Sequence, residues 1–299
     1  MPEMPEVEGL RCYLSASLVG RTVTRTELAA FSALKTFATP LSALLGGEVD
    51  RVDRRGKFLC LGIDGLWLVV HLARAGWLRW YDAAPPRPAR PGKGPLAFRL
   101  VAEGPPAHAP GESAPGPVGF DLTEAGTQKH LALYVVGDLA EVPGIARLGL
   151  DPLADDGTVA DFAAVLAEHP RTQLKGLLRD QRVFAGIGNA YSDEILQAAG
   201  LSPFKLAGTL DVGQTATLYT ATRACLTEAI TRAVGLPPAK LKDNKRSHLG
   251  IHGQKGEPCP TCGTPVAEVS FADSFLNYCP TCQTGGTLLA DRRMSKLLK

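Results

Sequence analysis

Long apolar runs are missing from this 299-residue chain: nowhere do eighteen apolar residues follow one another. No membrane-spanning helix is therefore expected. The amino terminus lacks the basic start and apolar stretch of a secretory signal and instead carries Glu3, Glu6 and Glu8, so export is not expected. Aromatic residues are scarce at 6%, and neither sign of charge dominates, with 32 Lys and Arg against 30 Asp and Glu. Net charge alone therefore names no partner. Cysteine is also in short supply. Seven is an odd number, which argues against a complete disulfide framework, and a reducing cytoplasm fits.

What charge there is falls unevenly. From Pro237 to Lys299 nine Lys/Arg face five acids, and Arg51, Arg54, Arg55 and Lys57 cluster earlier. Such a distribution suits a phosphate-facing surface, and equally a solvated basic face. Short β-branched and apolar runs occupy the first part: Thr22–Thr24, Phe58–Ile63, Leu66–Leu72, Leu78–Tyr81, Ala97–Val101 and Leu131–Val136. This pattern predicts an antiparallel sandwich or barrel, preceded by a helix between Glu8 and Leu18. Asp82–Pro95 and Glu103–Gly119 hold ten of the 23 prolines and are read as loops flanking the Ala97–Val101 strand. From Asp151 the texture becomes Ala/Leu-rich, with helices expected over 159–168, 173–178, 190–199 and 212–234. A loop is expected around Arg246. The fold class is thus α+β and multidomain: residues 1–150 a β-sandwich domain, 151–245 a helical domain, 246–283 a cysteine module and 284–299 a basic tail.

The most specific local signal is Cys259-Pro-Thr-Cys262, then Cys279-Pro-Thr-Cys282. Each CxxC turn converges two thiolates, and two turns complete a closed tetrahedral site for one structural Zn²⁺. Val266–Ser270 and Phe275–Tyr278 are expected to form the hairpin between them. A closed four-sulfur site has no open coordination position, so reactivity has to come from elsewhere.

The start of the chain is one source. Removal of Met1 makes Pro2 a terminal secondary amine, whose pKa of about 8 against about 10 for lysine leaves roughly a few hundred-fold more of it unprotonated at pH 7. Its iminium cannot be neutralised by losing an N–H proton and so remains an electron sink. Glu3 beside it is a candidate general acid/base.

Read in order, these segments resemble the formamidopyrimidine-DNA glycosylase / endonuclease VIII family. Met1–Glu8, Arg54-Arg-Gly-Lys-Phe-Leu59, His71-Leu-Ala-Arg-Ala-Gly76, Gln181–Glu194 and Gly253–Pro265 are each similar to a family motif. The resemblance implies an N-terminal β-sandwich, a helix–two-turn–helix domain and a zinc finger, acting as a monomer on damaged double-stranded DNA in the cytoplasm, associated with the nucleoid. It implies Pro2 as Schiff-base nucleophile, Glu3 as acid/base, Glu6 as support and Lys57 as phosphate anchor, with His71 and Asn189 as further DNA contacts. Gly186 and Gly188 would let the backbone approach a phosphate. Three departures stand out. The finger arginine position is Ser274, a void-filling methionine is replaced by Arg74, and an Arg-Arg-Phe-Gly segment is replaced around Gln128-Lys129-His130-Leu131. Lys129 and His130 become the DNA-facing candidates there, and Arg292 or Arg293 of the tail is a candidate substitute for the finger arginine. The reading is a base-excision glycosylase with abasic-site lyase activity. The alternative is a damage-binding protein of the same fold, with excision lost or redirected to bulky or cross-linked lesions.

Overall fold

The computed structural model describes residues 1–89, 92, 94–104, 116–271 and 274–290. By backbone contacts the chain divides into two units. The first comprises Met1–Arg147 with Arg232–Asp243, the second Leu148–Thr231 with Asn244–Lys299.

The first unit opens with α1 (Met4–Leu18), followed by β1 (Thr22–Leu28), β2 (Val49–Arg55), β3 (Phe58–Ile63), β4 (Leu66–His71), β5 (Gly76–Tyr81), β6 (Leu96–Glu103), β7 (Val118–Glu124) and β8 (Ala132–Val136). Two four-stranded antiparallel sheets result, ordered β1-β6-β7-β5 and β2-β3-β4-β8. Alternate residues of the strands meet between the sheets. Leu59, Leu61, Leu68 and Val70 from one and Phe98, Leu100, Phe120 and Leu122 from the other share a core with Leu10, Leu14 and Leu18 of α1. At about 25 cal/mol per Å² of apolar area removed from water, this shared interior is the main force holding sheets and helix together. The expected sandwich is present. The alternation Val49-Asp-Arg-Val-Asp-Arg-Arg hid β2, because only Val49 and Val52 point inward past an irregularity between Val49 and Arg51. The loop read to Gly119 in fact ends earlier: Val118 and Gly119 already pair with β6.

In the second unit, α2 (Val159–Ala167), α3 (Leu174–Arg179) and α4 (Asn189–Ala198) lie within a residue or so of their expected bounds. The same is true of α5 (Val212–Ala233), whose last two residues count with the first unit. Thr158 caps α2 by accepting from Asp161 N–H. Phe162 and Phe184 pack with ring centroids 4.8 Å apart and planes tilted by 33° in the interior. Around Arg246 the sequence reading placed a loop, whereas α6 runs Pro238–His248; Pro238 suits a first helical position, and the polar composition that suggested a loop belongs to an exposed helix. The hairpin β9 (Ala267–Ser270) and β10 (Phe275–Tyr278) and the short α7 (Pro280–Thr284) follow.

One tight turn carries the chain from β4 of one sheet to β5 of the other. Leu72 O accepts from Gly76 N at 2.9 Å, and Ala73 takes φ 53, so the chain reverses within four residues after His71. A Cβ on Gly76 would lie 2.1 Å from Leu72 O. Gly76→Ala is therefore expected to destabilise the fold by about 1–3 kcal/mol, the usual range for overpacking. Chemical unfolding of the two proteins measures the difference, and equal midpoints would contradict the assigned turn.

Candidate active site and metal centre

Glu3 is the residue before α1, in extended conformation (φ −117, ψ −176). Glu6, three residues on, closes a capping box: its Oε2 accepts from Glu3 N at 2.8 Å. The amide donors at a helix start have no partner within the helix, and the helix field there favours negative charge, which is why two acids so close in sequence can both be buried. Glu3 is 2% exposed and Glu6 3%. Pro2 is buried beside them while Met1 projects to solvent. While Met1 is attached, the Pro2 nitrogen is a tertiary amide without nucleophilic character.

Lys57 sits in the two-residue turn joining β2 to β3, since Arg55 and Phe58 are register partners. Gly56 supplies φ 53, the left-handed position that this tight turn demands and that only glycine adopts without cost. The Lys57 side chain is 6% exposed, an uncommon burial for lysine. On the next strand His71 pairs with Phe58, the rings 4.7 Å apart, and on the far side with Ala132. Burial first, and the Lys57 charge second, push His71 down to about 4 from its usual 6.5. It is therefore a neutral imidazole at physiological pH, a hydrogen-bonding group rather than a cation.

The register brings the remaining candidates of this unit to the same sheet end. Arg74 is exposed on the Leu72–Gly76 turn. Lys129 and His130 are exposed on the loop into β8. That loop is held from below: the buried carboxylate of Glu124 accepts from His130 N at 2.9 Å and from Leu131 N at 3.1 Å, and Lys129 Nζ donates to Glu124 O. Glu124 was not anticipated, because an acid at a strand end carries no sequence signature of burial.

In the second unit, Gln181 organises the turn before α4. Its Nε2 donates to Arg179 O at 2.8 Å and Ile187 O at 2.7 Å, and its Oε1 accepts from Gly186 N at 2.9 Å, with Gly186 at φ 94. Asn189 begins α4 and donates through Nδ2 to Phe275 O at 2.8 Å, while its Oδ1 is buried with no donor among the described residues. Asn189 is thus drawn to the finger hairpin, next to Ser274. Arg292 and Arg293 lie outside the described residues.

Lys175 was also missed. It is buried, and its Nζ donates to Asn189 O (2.6 Å), Ser192 Oγ (2.8 Å) and Asp193 Oδ1 (2.6 Å). The other oxygen of Asp193 meets His252 Nδ1 at 2.6 Å and accepts from Asn277 N at 3.2 Å. Glu194 next to it accepts from three consecutive backbone amides, Gly250, Ile251 and His252, at 2.8–3.0 Å. Only the helical run around Lys175 hinted at this, through a lysine among leucines.

The four cysteines converge as their spacing implied. Their sulfurs lie within 4.8 Å of one another, with Cys262–Cys279 at 3.4 Å and Cys259–Cys282 at 4.0 Å. A tetrahedral zinc with bonds of about 2.3 Å requires sulfurs about 3.8 Å apart, so the donor set fits a structural Zn²⁺. The side chain and backbone of Thr264 lower Cys262 to about 6, toward the thiolate that a metal needs. The Cys279 Sγ also accepts from Cys282 N, and Gln283 ties the turn to the rest of the unit by accepting from Cys279 N and donating to Leu201 O.

Two outcomes follow from these environments. The His71 pKa is depressed on folding, so between about 4 and 6.5 the unfolded chain binds more protons than the folded one, and stability falls as pH drops through that window. Denaturant midpoints at pH 7.5 and pH 5 are expected to differ less for His71→Asn than for the native chain; an equal difference would refute the assignment. Elemental analysis is expected to find one zinc per chain, and Cys279→Ser to lose it together with amide protection in β9 and β10 but not in α5. Retention of zinc by that variant would exclude the four-sulfur site.

Comparisons with known proteins accord with this geometry. Residues 1–106 match the formamidopyrimidine-DNA glycosylase N-terminal domain, 148–236 the helix–two-turn–helix domain of the same enzymes, and 256–285 a zinc finger found in these glycosylases and in isoleucyl-tRNA synthetases. The chain is 32% identical to the formamidopyrimidine-DNA glycosylase of Symbiobacterium thermophilum, across 98% of its own length and 93% of the relative's. It is 51% identical over 161 residues to an uncharacterized glycosylase-like protein of Mycobacterium tuberculosis, covering 54% of this chain and all of that one. The crystal structure of the Thermus thermophilus enzyme superposes with a TM-score of 0.75 at 32% identity, covering 96% of this chain and 100% of that one. A Lactococcus lactis enzyme in complex with abasic-site DNA shares the fold, with a TM-score of 0.79 at 23% identity over 94% of this chain and 99% of that one. The chain belongs to the formamidopyrimidine-DNA glycosylase family.

Proposed function

We propose that this protein is a base-excision DNA glycosylase with abasic-site lyase activity, acting on damaged duplex DNA through the amine of Pro2. The observation that carries the reading is the buried carboxylate of Glu3, held at the start of α1 directly beside Pro2. Once Met1 is removed, the Pro2 nitrogen attacks C1′ of the damaged nucleotide. The C1′–N bond breaks, and the base leaves with its bonding electrons and takes up a proton. Opening of the sugar gives an iminium at C1′, and Glu3 supplies the proton that O4′ acquires. The iminium acidifies the C2′ hydrogens; removal of one sends electrons toward C3′, the 3′ phosphate departs, and the strand is cut. Water then releases Pro2. Glu6 keeps Glu3 in position through the capping box. Lys57, His71 and Asn189 are assigned to DNA phosphates, Lys57 as a point charge and His71 as a neutral hydrogen-bonding group. The base has to leave the stack for this chemistry, and such anchors hold the everted nucleotide.

We assign residues 1–150 to a catalytic domain, 151–245 to a DNA-binding domain, 246–283 to the finger and 284–299 to a basic tail, and the place of work to the cytoplasm, at the nucleoid. Arg74, His130 and Ser274 stand where residues are expected that fill the void, wedge the helix and grip phosphate, respectively. They favour an altered lesion preference, extending to bulky or cross-linked bases. Arg292 and Arg293 are assigned to the phosphate contact that Ser274 does not supply.

Borohydride trapping on abasic-site duplex tests the chemistry. The native chain is expected to give a covalent adduct. A chain extended ahead of Pro2 is expected to give none, because its Pro2 nitrogen remains an amide. Glu3→Gln is expected to slow trapping by on the order of 10²-fold or more. An adduct from the extended chain would overturn the assignment of Pro2. Trapping without base release from any oxidised, ring-opened or cross-linked duplex would leave a damage-binding lyase in place of the glycosylase.

A further inference from the structure

Lys57 has to be held at a fixed place relative to the helix that carries Pro2, Glu3 and Glu6, yet it stands in a two-residue turn, the part of a hairpin least restrained by strand pairing. The Arg54 side chain links the two. Arg54, on β2, donates through Nε to Glu8 Oε2 of α1 at 2.9 Å and through Nη1 to Gly56 O at 3.2 Å. Glu8 is held in turn by Arg11 one helical turn on, whose Nε reaches Glu8 Oε1 at 2.7 Å. Both ends of the Arg54–Glu8 pair are largely buried, at 12% and 17% side-chain exposure. The two arginines together hold the Glu8 carboxyl below its ordinary range despite that burial.

The acceptor on the turn is informative. Gly56 O belongs to the peptide whose nitrogen is that of Lys57, so the direction of this carbonyl sets the peptide plane from which the Lys57 side chain departs. Gly56 is in the left-handed region and has no Cβ to resist rotation of that plane. We propose that Arg54 is a positioning residue: it ties the Gly56–Lys57 peptide to Glu8 of α1 and so fixes the lysine against the nucleophile-bearing helix. This rests on the roles given to Pro2 and Lys57 in the proposed function. A planar guanidinium is suited to the task because its donors diverge in a rigid fork toward a carboxylate and a carbonyl at once, which a lysine ammonium on a flexible stem does not reproduce.

A structural ion pair and a positioning device differ in one measurable respect. If Arg54 acts through Lys57, its removal is silent once Lys57 is gone; if it merely steadies the sheet, its effect is the same with or without the lysine. The experiment is a double-mutant cycle of the native chain, Arg54→Met, Lys57→Ala and the double variant. Two readouts are taken: the single-turnover rate of borohydride-trapped adduct on abasic-site duplex, and affinity for a duplex carrying a non-reactive tetrahydrofuran abasic analogue. Arg54→Met is expected to slow trapping by about tenfold, within the range that small misplacements cost, and by less than twofold in the Lys57→Ala background. Arg54→Lys is expected not to restore the rate. Equal losses in both backgrounds overturn the proposal, as does full rescue by lysine. Thermal unfolding is followed in parallel. If Arg54→Met is unfolded, Glu8→Gln, which weakens the same link without removing bulk, takes its place in the cycle under the same criterion. Absence of any adduct from the native chain refutes the Pro2 chemistry itself; the affinity cycle then decides Arg54 alone, coupling with Lys57 supporting the link and additivity refuting it.

Discussion

A carboxylate accepting a backbone N–H is the interaction on which the site depends. Without Glu6 the amide of Glu3 at the head of α1 would be buried without this partner, at a cost of about 1–3 kcal/mol for an unmatched donor. With it, α1 begins at Met4, directly after the residue to which we assign the acid–base work, and the two residues before the helix are held rather than frayed. The catalytic start is thus made from the same hydrogen bond that makes the helix start. A terminal amine is chemically attractive as a nucleophile and structurally the least constrained group in a chain. The capping box reconciles the two.

The same device recurs wherever a loop has to be held. Glu124 binds the amides of His130 and Leu131 beneath the exposed Lys129 and His130. Asp193 and Glu194 are adjacent on α4, yet one receives Lys175 and His252 while the other takes three successive amides of the chain entering the finger. Each acid replaces water on amides that sheet and helix ladders leave unpaired, and a buried charge becomes tolerable because several donors face it. The result is a protein whose irregular segments are bound to regular ones at defined points, with the DNA-facing candidates standing on the bound segments.

Much of this was legible in residue order. The CxxC pairs announce their convergence because a short turn leaves two thiolates few other directions, and Ala/Leu periodicity marks α2 to α5 within a residue or two. The strands made of continuous β-branched and apolar runs were also evident. Missed were β2, whose inward residues are only two valines among charges, β7 (Val118–Glu124), which directly follows a proline-rich stretch, and α6, whose polar surface resembles a loop. The buried acids were not legible either. Glu124 and Asp193, and the half-buried Glu194 beside the latter, give no sign of their partners, which lie 6 to 84 positions away along the chain and are mostly backbone, which has no letter in the sequence. Lys57 could be singled out by its motif, but not that a left-handed Gly56 and a buried turn hold it, nor that burial first and the lysine charge second keep His71 neutral.

The grip of Glu194 on residues 250–252 has a consequence for the metal. The first cysteine, Cys259, comes a few residues later, so the chain leading to it remains moored to α4 whether or not the four sulfurs hold zinc. Loss of the ion is then a local melting, with the first cysteine pair kept near α4 by a short tether. Recapture of a metal ion then re-forms only the hairpin, the sixteen-residue loop between the two cysteine pairs being closed from a chain already fixed at one end.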